Sequence, residues 1–293
     1  MRGHLILQRV IRLALITLLI SACGGEKSET LTGFLEIDGV NVYYEMMGEG
    51  LPLVLIHGGG LDRRMWDDQF DTFSELYQVI RYDIPGFGKS DTPTSPFSNV
   101  AILSGLLTAL NVEQAHLLGL SLGGRIAIDF ALEYPQRVTS LTLVAPGMSG
   151  FAVPLEESQR IRAIMMVGAQ EGAQKAAEKW LEDPYLVPAM ENPACREKVR
   201  QLIFDNAEFW VRPSPEQIPR HIAAMRLSEI SVPTLIIVGD RDVESIYTVV
   251  EILEGGIANS QKEVISGAGH IVNMEKAEEF NRSVLGFLNN LSP

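Results

Sequence analysis

Cysteine is nearly absent from this chain: 293 residues hold two, Cys23 and Cys195. At most one disulfide can form, so the fold must rest on its core rather than on covalent cross-links. Positive charge is scarce as well. Twenty-four Lys and Arg stand against 37 Asp and Glu, a formal charge of −13. No basic stretch with interleaved aromatics occurs, which excludes a nucleic-acid surface. The five histidines form no pair at helical spacing and the cysteines no close pair, so the sequence carries no metal motif. The glycines of "GEG" (48–50) and "HGGG" (57–60) lack the following Lys-Ser/Thr of a phosphate loop. Neither an internal repeat nor a low-complexity tract is present. No cofactor is implied by any of these features.

What is present begins at the N-terminus. Arg2, Arg9 and Arg12 precede the apolar run "LALITLLI" (13–20). A positive stretch followed by a short apolar one reads as a signal peptide over residues 1–22, because the run is too short to span a bilayer. The residues "ISAC" that follow resemble a bacterial lipobox. The resemblance implies cleavage before Cys23, lipidation of its thiol and a membrane anchor, with residues 23–32 as a polar tether. Gly24 in place of Asp implies the outer membrane of a bacterial envelope, facing the periplasm. Cleavage there removes three arginines and no acid, leaving the chain more acidic still. With Cys23 lipidated, no intrachain disulfide remains.

Hydrophobic content of 46% with 21% charged residues is ordinary globular composition. "FLEI" and "VNVYYEMM" read as two strands joined by the Asp38-Gly39 turn signal. Continuous apolar runs at 51–57, 115–120 and 233–239 read as strands covered on both faces. Further strands are expected at 78–83, 138–146 and 262–266. Trp66, Phe70, Phe73 and Tyr77 recur at three- and four-residue steps and predict a helix, as do residues 98–110, 122–134 and the final segment with Phe280, Val284, Phe287 and Leu288. This alternation predicts an α/β architecture: a mostly parallel central sheet flanked by helices. Between 148 and 227 the strand rhythm stops. Ala173–Leu181 and Val199–Trp210 carry helical stripes there, so a helical cap inserted into a core of residues 33–147 and 228–293 is expected.

The chemistry centres on "GLSLGG" (119–124), where an apolar strand gives way to a helix. A turn that sharp needs tiny residues beside Ser121, and it lifts the hydroxyl to the sheet edge next to free helix N-terminal amides. A serine needs a base, and the base an orienting acid. His270, on the "GAGH" loop after the last strand, can reach the C-terminal edge of the sheet. His116, at the opposite end of its strand, cannot. The acid belongs in "VGDRD", which offers Asp240 and Asp242. Glycines after His57 let backbone amides approach a developing oxyanion, together with the amide of Leu122. Acidic runs such as "EKAEEF" (275–280) read as solvated helix faces.

The order Ser…Asp…His with "HGGG", "DIPGFGKSD" and "GAGHIVNMEKAEEFN" resembles the α/β-hydrolase superfamily over residues 34–290, in its small capped esterase and enol-lactonase-like branch. The resemblance implies Ser121 as nucleophile, Asp242 as acid, His270 as base, and the Gly59 and Leu122 amides as oxyanion donors. Serine rather than aspartate at the elbow argues against epoxide hydrolases and haloalkane dehalogenases. An elbow without tryptophan argues against proline iminopeptidases. The implied activity is hydrolysis of an apolar carboxylic ester or lactone. Carbon–carbon bond hydrolysis or cofactor-free haloperoxidase (perhydrolase) chemistry is the alternative within the fold, and a ligand-binding module the alternative outside catalysis. Met165, Met166 and Trp180 are candidate pocket residues, since cap helices closing over a polar triad predict an otherwise apolar pocket.

Overall fold

The computed structural model describes residues 29–291 except 213, 220 and 221. The signal peptide, Cys23, most of the tether, and the histidines at 4 and 221 lie outside the described residues. Eight strands form one sheet among those described: β1 (Leu31–Ile37), β2 (Val40–Met47), β3 (Pro52–Ile56), β4 (Gln78–Tyr82), β5 (Ala115–Leu120), β6 (Val138–Val144), β7 (Thr234–Gly239) and β8 (Ser260–Ile265). Their order is β1-β2-β4-β3-β5-β6-β7-β8. The β1–β2 and β2–β4 pairs are antiparallel, and every pair from β4 to β8 is parallel.

Local chemistry explains the order. Asp38 (φ 51°) and Gly39 (φ 78°) both adopt positive φ, and Ile37 pairs with Val40, so a two-residue turn closes the β1–β2 hairpin. All residues of β5 and β7 are buried, as a strand covered on both faces requires. Edge strand β8 buries only Ile265 fully. Helices cover the two faces: α1 (Asp67–Phe73), α2 (Asn99–Ala109) and α3 (Leu122–Glu133) precede the cap. The cap holds α4 (Leu155–Glu171), α5 (Ala173–Trp180), α6 (Val187–Glu191) and α7 (Arg196–Asp205), and α8 (Glu244–Gly256), α9 (Val272–Glu275) and α10 (Ala277–Asn289) complete the chain. The core is split by the sheet into two apolar layers, one under α2, α3 and α8 and one under α1 and α10.

Three local expectations change. The helix over Trp66–Tyr77 is shorter: a 3₁₀ turn (Arg63–Trp66) leads into α1, which ends at Phe73, yet Tyr77 is buried beyond it. The second cap stripe is likewise α7 followed by a separate 3₁₀ turn at Ala207–Trp210. The third is α4, the longest helix described, which no stripe announces. It buries only Glu157, Ile164 and Gly168, while Leu155, Met165 and Met166 are exposed, so its apolar residues do not mark its packed face.

Candidate active site

Strand β5 ends at Leu120 and α3 begins at Leu122, leaving one residue for the turn. Ser121 holds φ 52° and ψ −109°, a backbone conformation that a side-chain-bearing residue rarely adopts. The strain is held from several sides. The Ser121 N–H donates to the Val144 carbonyl, and the Ser121 carbonyl accepts from the Gly147 N–H (both 2.9 Å). The glycines around it are sterically required. A Cβ on Gly119 would collide with the Gly123 carbonyl, and one on Gly123 with the Ile56 carbonyl. On Gly124 it would lie 2.6 Å from Pro146 Cβ.

His270 is 5% exposed and lines the same cavity as Ser121. Its Nδ1–H donates to Asp242, 3.0 Å to Oδ2 and 3.2 Å to Oδ1. The Asp242 side chain is fully buried. That bond leaves Nε2 as the free ring nitrogen, the tautomer of a general base. Asp240 points elsewhere. Its Oδ2 accepts from the Ser266 hydroxyl and its Oδ1 from the Gly267 N–H, both at 2.7 Å. These two bonds hold its carboxyl below the usual range and brace the loop that carries His270.

Glu275 is a buried residue of the site that sequence reasoning misses. "EKAEEF" reads as solvent-facing, but its first residue is 6% exposed. Glu275 accepts from the Gly269 N–H (2.8 Å) and the Ile271 N–H (3.0 Å), one carboxylate oxygen to each side of His270. Burial pushes its carboxyl up, against the pull of these two amides. The available signal is spacing: a Glu five residues after the histidine, at the end of a one-turn helix, can fold back on the loop.

His57 serves structure. It is fully buried, its Nδ1–H donates to the Gly58 carbonyl (2.8 Å), and its Nε2 accepts from the Ile84 N–H (2.9 Å). Burial lowers its pKa, with Asp83 opposing, so the ring is a neutral spacer joining the glycine turn to the "DIPGFG" loop. The Gly59 and Leu122 amides donate to no protein group among the described residues, and both residues face the cavity. Leu122 is the first residue of α3, where an N–H has no intrahelical acceptor.

The cavity measures about 420 Å³. Most of its wall is apolar, including Leu120, Ile161, Ile203 and Phe209. Met165 and Trp180 line it, as expected, but Met166 does not: the neighbouring position on α4 points outward and is 54% exposed. Aromatic rings run in contact from the glycine turn to the triad, in the order His57, Phe87, Phe209, Trp210, Trp180, Tyr185 and His270. Tyr185, from the cap, sets its ring edge-on to His270 at 4.6 Å. Its hydroxyl donates to Glu157 (2.7 Å).

A serine on a strained strand-to-helix turn, a histidine bound to a buried aspartate and a cap over both define a fold family. The residues 52–277 match the family model described as alpha/beta hydrolase fold. The chain belongs to the α/β hydrolases. This hydrolase is 32% identical over 267 residues, covering 85% of this chain and 91% of the relative, to a 2-hydroxy-6-oxononadienedioate/2-hydroxy-6-oxononatrienedioate hydrolase of Paraburkholderia phymatum. It is 30% identical to a 2-hydroxy-6-oxo-6-phenylhexa-2,4-dienoate hydrolase of Comamonas testosteroni, covering 84% and 91% of the two chains. Among solved structures it is similar to a thermophilic esterase of Thermogutta terrifontis, with a TM-score of 0.78, 28% identity, and coverage of 90% and 100%. The hydrolase is an enzyme of this fold, with a small-molecule cavity at the C-terminal edge of its sheet, where open α/β sheets bind ligands.

Proposed function

We propose that this hydrolase cleaves a neutral carboxylic ester or lactone through an acyl-enzyme intermediate. The observation that carries the reading is the Asp242–His270 pair facing the cavity shared with Ser121. Ser121 Oγ attacks the carbonyl carbon while His270 Nε2 takes its proton, and the imidazolium is stabilised by Asp242. The carbonyl oxygen, now negative, accepts from the Gly59 and Leu122 amides. Collapse breaks the bond to the leaving alkoxide, which takes the proton from His270. Water then attacks the acyl-enzyme with His270 again as base, releasing the acid and restoring Ser121.

The second reading is carbon–carbon bond hydrolysis, favoured by the names of the relatives. Their named substrates are carboxylates, whereas the cation supply in this cavity is poor. Arg212 is the only cationic lining residue among those described, and it is engaged by Thr92 (2.7 Å) and Glu208 (3.3 Å). Glu216, also on the wall, is neutralised by Arg125 at 2.7 Å and offers no cation. This balance favours an uncharged substrate. A panel of aryl esters, lactones and 2-hydroxy-6-oxo-dienoates, assayed with wild type and Ser121→Ala, tests the choice. Turnover of neutral esters or lactones that disappears in Ser121→Ala is expected. Turnover confined to the dienoates would overturn the reading in favour of carbon–carbon cleavage.

We further propose export and lipid anchoring at Cys23, supported by the arginines, apolar run and "ISAC" of residues 2–23. Cys23→Ala is expected to abolish metabolic lipid labelling and release the protein from membranes. Membrane retention by Cys23→Ala would overturn it.

A further inference from the structure

An imidazole that passes a proton between a serine and a leaving group must be held in orientation as well as in tautomer. The hydrogen bond to Asp242 fixes His270 at Nδ1, and Glu275 fixes the backbone on either side of it. Neither stops the ring from swinging about the Nδ1 contact. A third support comes from the cap. Tyr185 lines the same cavity as Ser121, and its ring meets the His270 ring at 4.6 Å with an interplanar angle of 73°. A ring set edge to face against another resists rotation of its neighbour, because turning either one brings atoms into overlap.

Tyr185 is held more firmly than a wall residue needs. Its hydroxyl donates to Glu157 (2.7 Å), a carboxylate on the first turn of α4 that is 6% exposed. Its N–H donates to Asp183 (3.2 Å), also buried, which accepts from Arg160 of α4 (3.1 Å). Trp180 packs against its ring at 5.7 Å. Burying carboxylates is unfavourable unless each is bonded, and a residue that merely filled space would need neither. The run that follows Tyr185 is seated on the triad loops as well. Pro188 abuts Gly269, where a Cβ would lie 2.6 Å from it, and Asn192 donates to the Glu275 carbonyl (2.9 Å). Glu191 accepts from Arg241, which stands between the two aspartates (2.6 Å). The tyrosine ring cannot drift from the imidazole without carrying residues 185–192 with it.

We propose that Tyr185 is a positioning residue for His270. Its ring holds the imidazole in the orientation that turns Nε2 toward Ser121, and Glu157 holds the ring. The inference rests on the acyl-enzyme reading for the role of His270 as base. It makes the cap part of the catalytic scaffold as well as the wall of the cavity.

Reaction of Ser121 with a small alkyl fluorophosphonate needs the Ser121–His270 pair but no particular substrate. Its maximal rate and half-saturating concentration are measured for the wild type, Tyr185→Leu and Tyr185→Phe, with thermal melts as the check on folding. Tyr185→Leu is expected to lower the maximal rate about 10- to 100-fold with the half-saturating concentration little changed. Tyr185→Phe, which keeps the ring and loses the Glu157 bond, is expected to fall between, with a loss of about three- to tenfold. Tyr185→Met, flexible and closer in volume, replaces Tyr185→Leu should that variant not fold. The second readout is the His270 Nδ1 proton in the NMR spectrum, assigned by its absence from His270→Gln. It is expected to exchange with water faster in Tyr185→Leu than in the wild type, which looser packing away from the triad would not cause. A maximal rate within about threefold of the wild type in a folded ringless variant, with the proton exchanging as before, would overturn the proposal. So would a raised half-saturating concentration at an unchanged maximal rate, which makes Tyr185 a substrate contact. A Tyr185→Phe as slow as Tyr185→Leu credits the hydroxyl alone and overturns it too. A wild type that does not react with the fluorophosphonate removes the acyl-enzyme reading, and the proton exchange then decides on Tyr185 by itself.

Discussion

Two aspartates two residues apart divide the work at the site, and the division is a matter of reach. Asp242 lies far enough into the loop after β7 to meet His270 Nδ1 at 3.0 Å, while Asp240 turns back to Ser266 and Gly267. Asp242→Asn should leave the fold intact and lower kcat by up to about 10⁴-fold, because the amide favours the wrong imidazole tautomer. Asp240→Asn should keep most turnover and lower the melting temperature. Turnover and thermal melts on both variants check the assignment, and an inactive Asp240→Asn beside a normal Asp242→Asn would reverse it. Glu275 is a positioning residue, since its carboxylate touches only the backbone on either side of His270. Glu275→Gln keeps one acceptor but turns an NH₂ toward an N–H. A kcat loss of roughly 10- to 100-fold with KM little changed is expected, as small misplacement of a catalytic group costs about that much. An equal rise in KM with kcat preserved would assign Glu275 to substrate binding instead.

At the scale of elements, glycine separates two kinds of helix position. Gly123, at the start of α3, has no room for a methyl group because α3 packs against the end of β3. Gly123→Ala should destabilise by about 3 kcal/mol, the upper range for overpacking. Gly286, inside α10, has open space where a Cβ would go and an ordinary φ. Gly286→Ala should stabilise by about 0.5–1 kcal/mol through helix propensity and a less flexible unfolded chain. Urea midpoints of the two variants should move in opposite directions. The same contrast explains what is legible in the sequence. Strands buried on both faces and helices with a single apolar stripe stand out, whereas α4 hides because its exposed methionines and small buried Gly168 break the stripe. In α8, Ile246, Val249, Val250 and Leu253 do hold the helical period, so that helix is open to the same reading.

Across the whole molecule, buried titratable groups set how stability follows pH. His57 and His116 are buried, and burial lowers both pKa values below the ordinary 6.5. Below about pH 6.5 the unfolded chain then binds more protons than the native one, so their contribution is lost as pH falls toward the lower native values. Asp83 and Glu275 act with the opposite sign. Burial raises their carboxyls, so their contribution is complete below the ordinary carboxyl range and lost as pH rises through the native value. Asp62 behaves otherwise: burial would raise it, but Arg64 and Asn206 hold it at about 2, so its contribution disappears only in strong acid. His116 isolates the histidine effect, since it lies away from the cavity and bonds only Ser140 (2.8 Å). The stability difference between wild type and His116→Gln should shrink from pH 7 to pH 5. Denaturant melts at the two pH values measure it, and a constant difference would show that His116 titrates alike in both states.

The sequence by itself determined the succession of strands along the chain, the elbow around Ser121, and the shortlist of His270 with Asp240 or Asp242. These are local signals: periodicity, a run of apolar residues, glycines where a turn permits no side chain. Residues 1–28 speak only through sequence. Tertiary structure decided which aspartate meets the histidine, that Met165 lines the cavity while Met166 faces solvent, and that Glu275 lies under the triad rather than in water. It also brought Phe97 and Glu216, far apart in the chain, into one backbone bridge. The reason is the same in each case. Burial and partner choice depend on what packs against a residue from elsewhere in the chain, and neither residue type nor spacing records that neighbour.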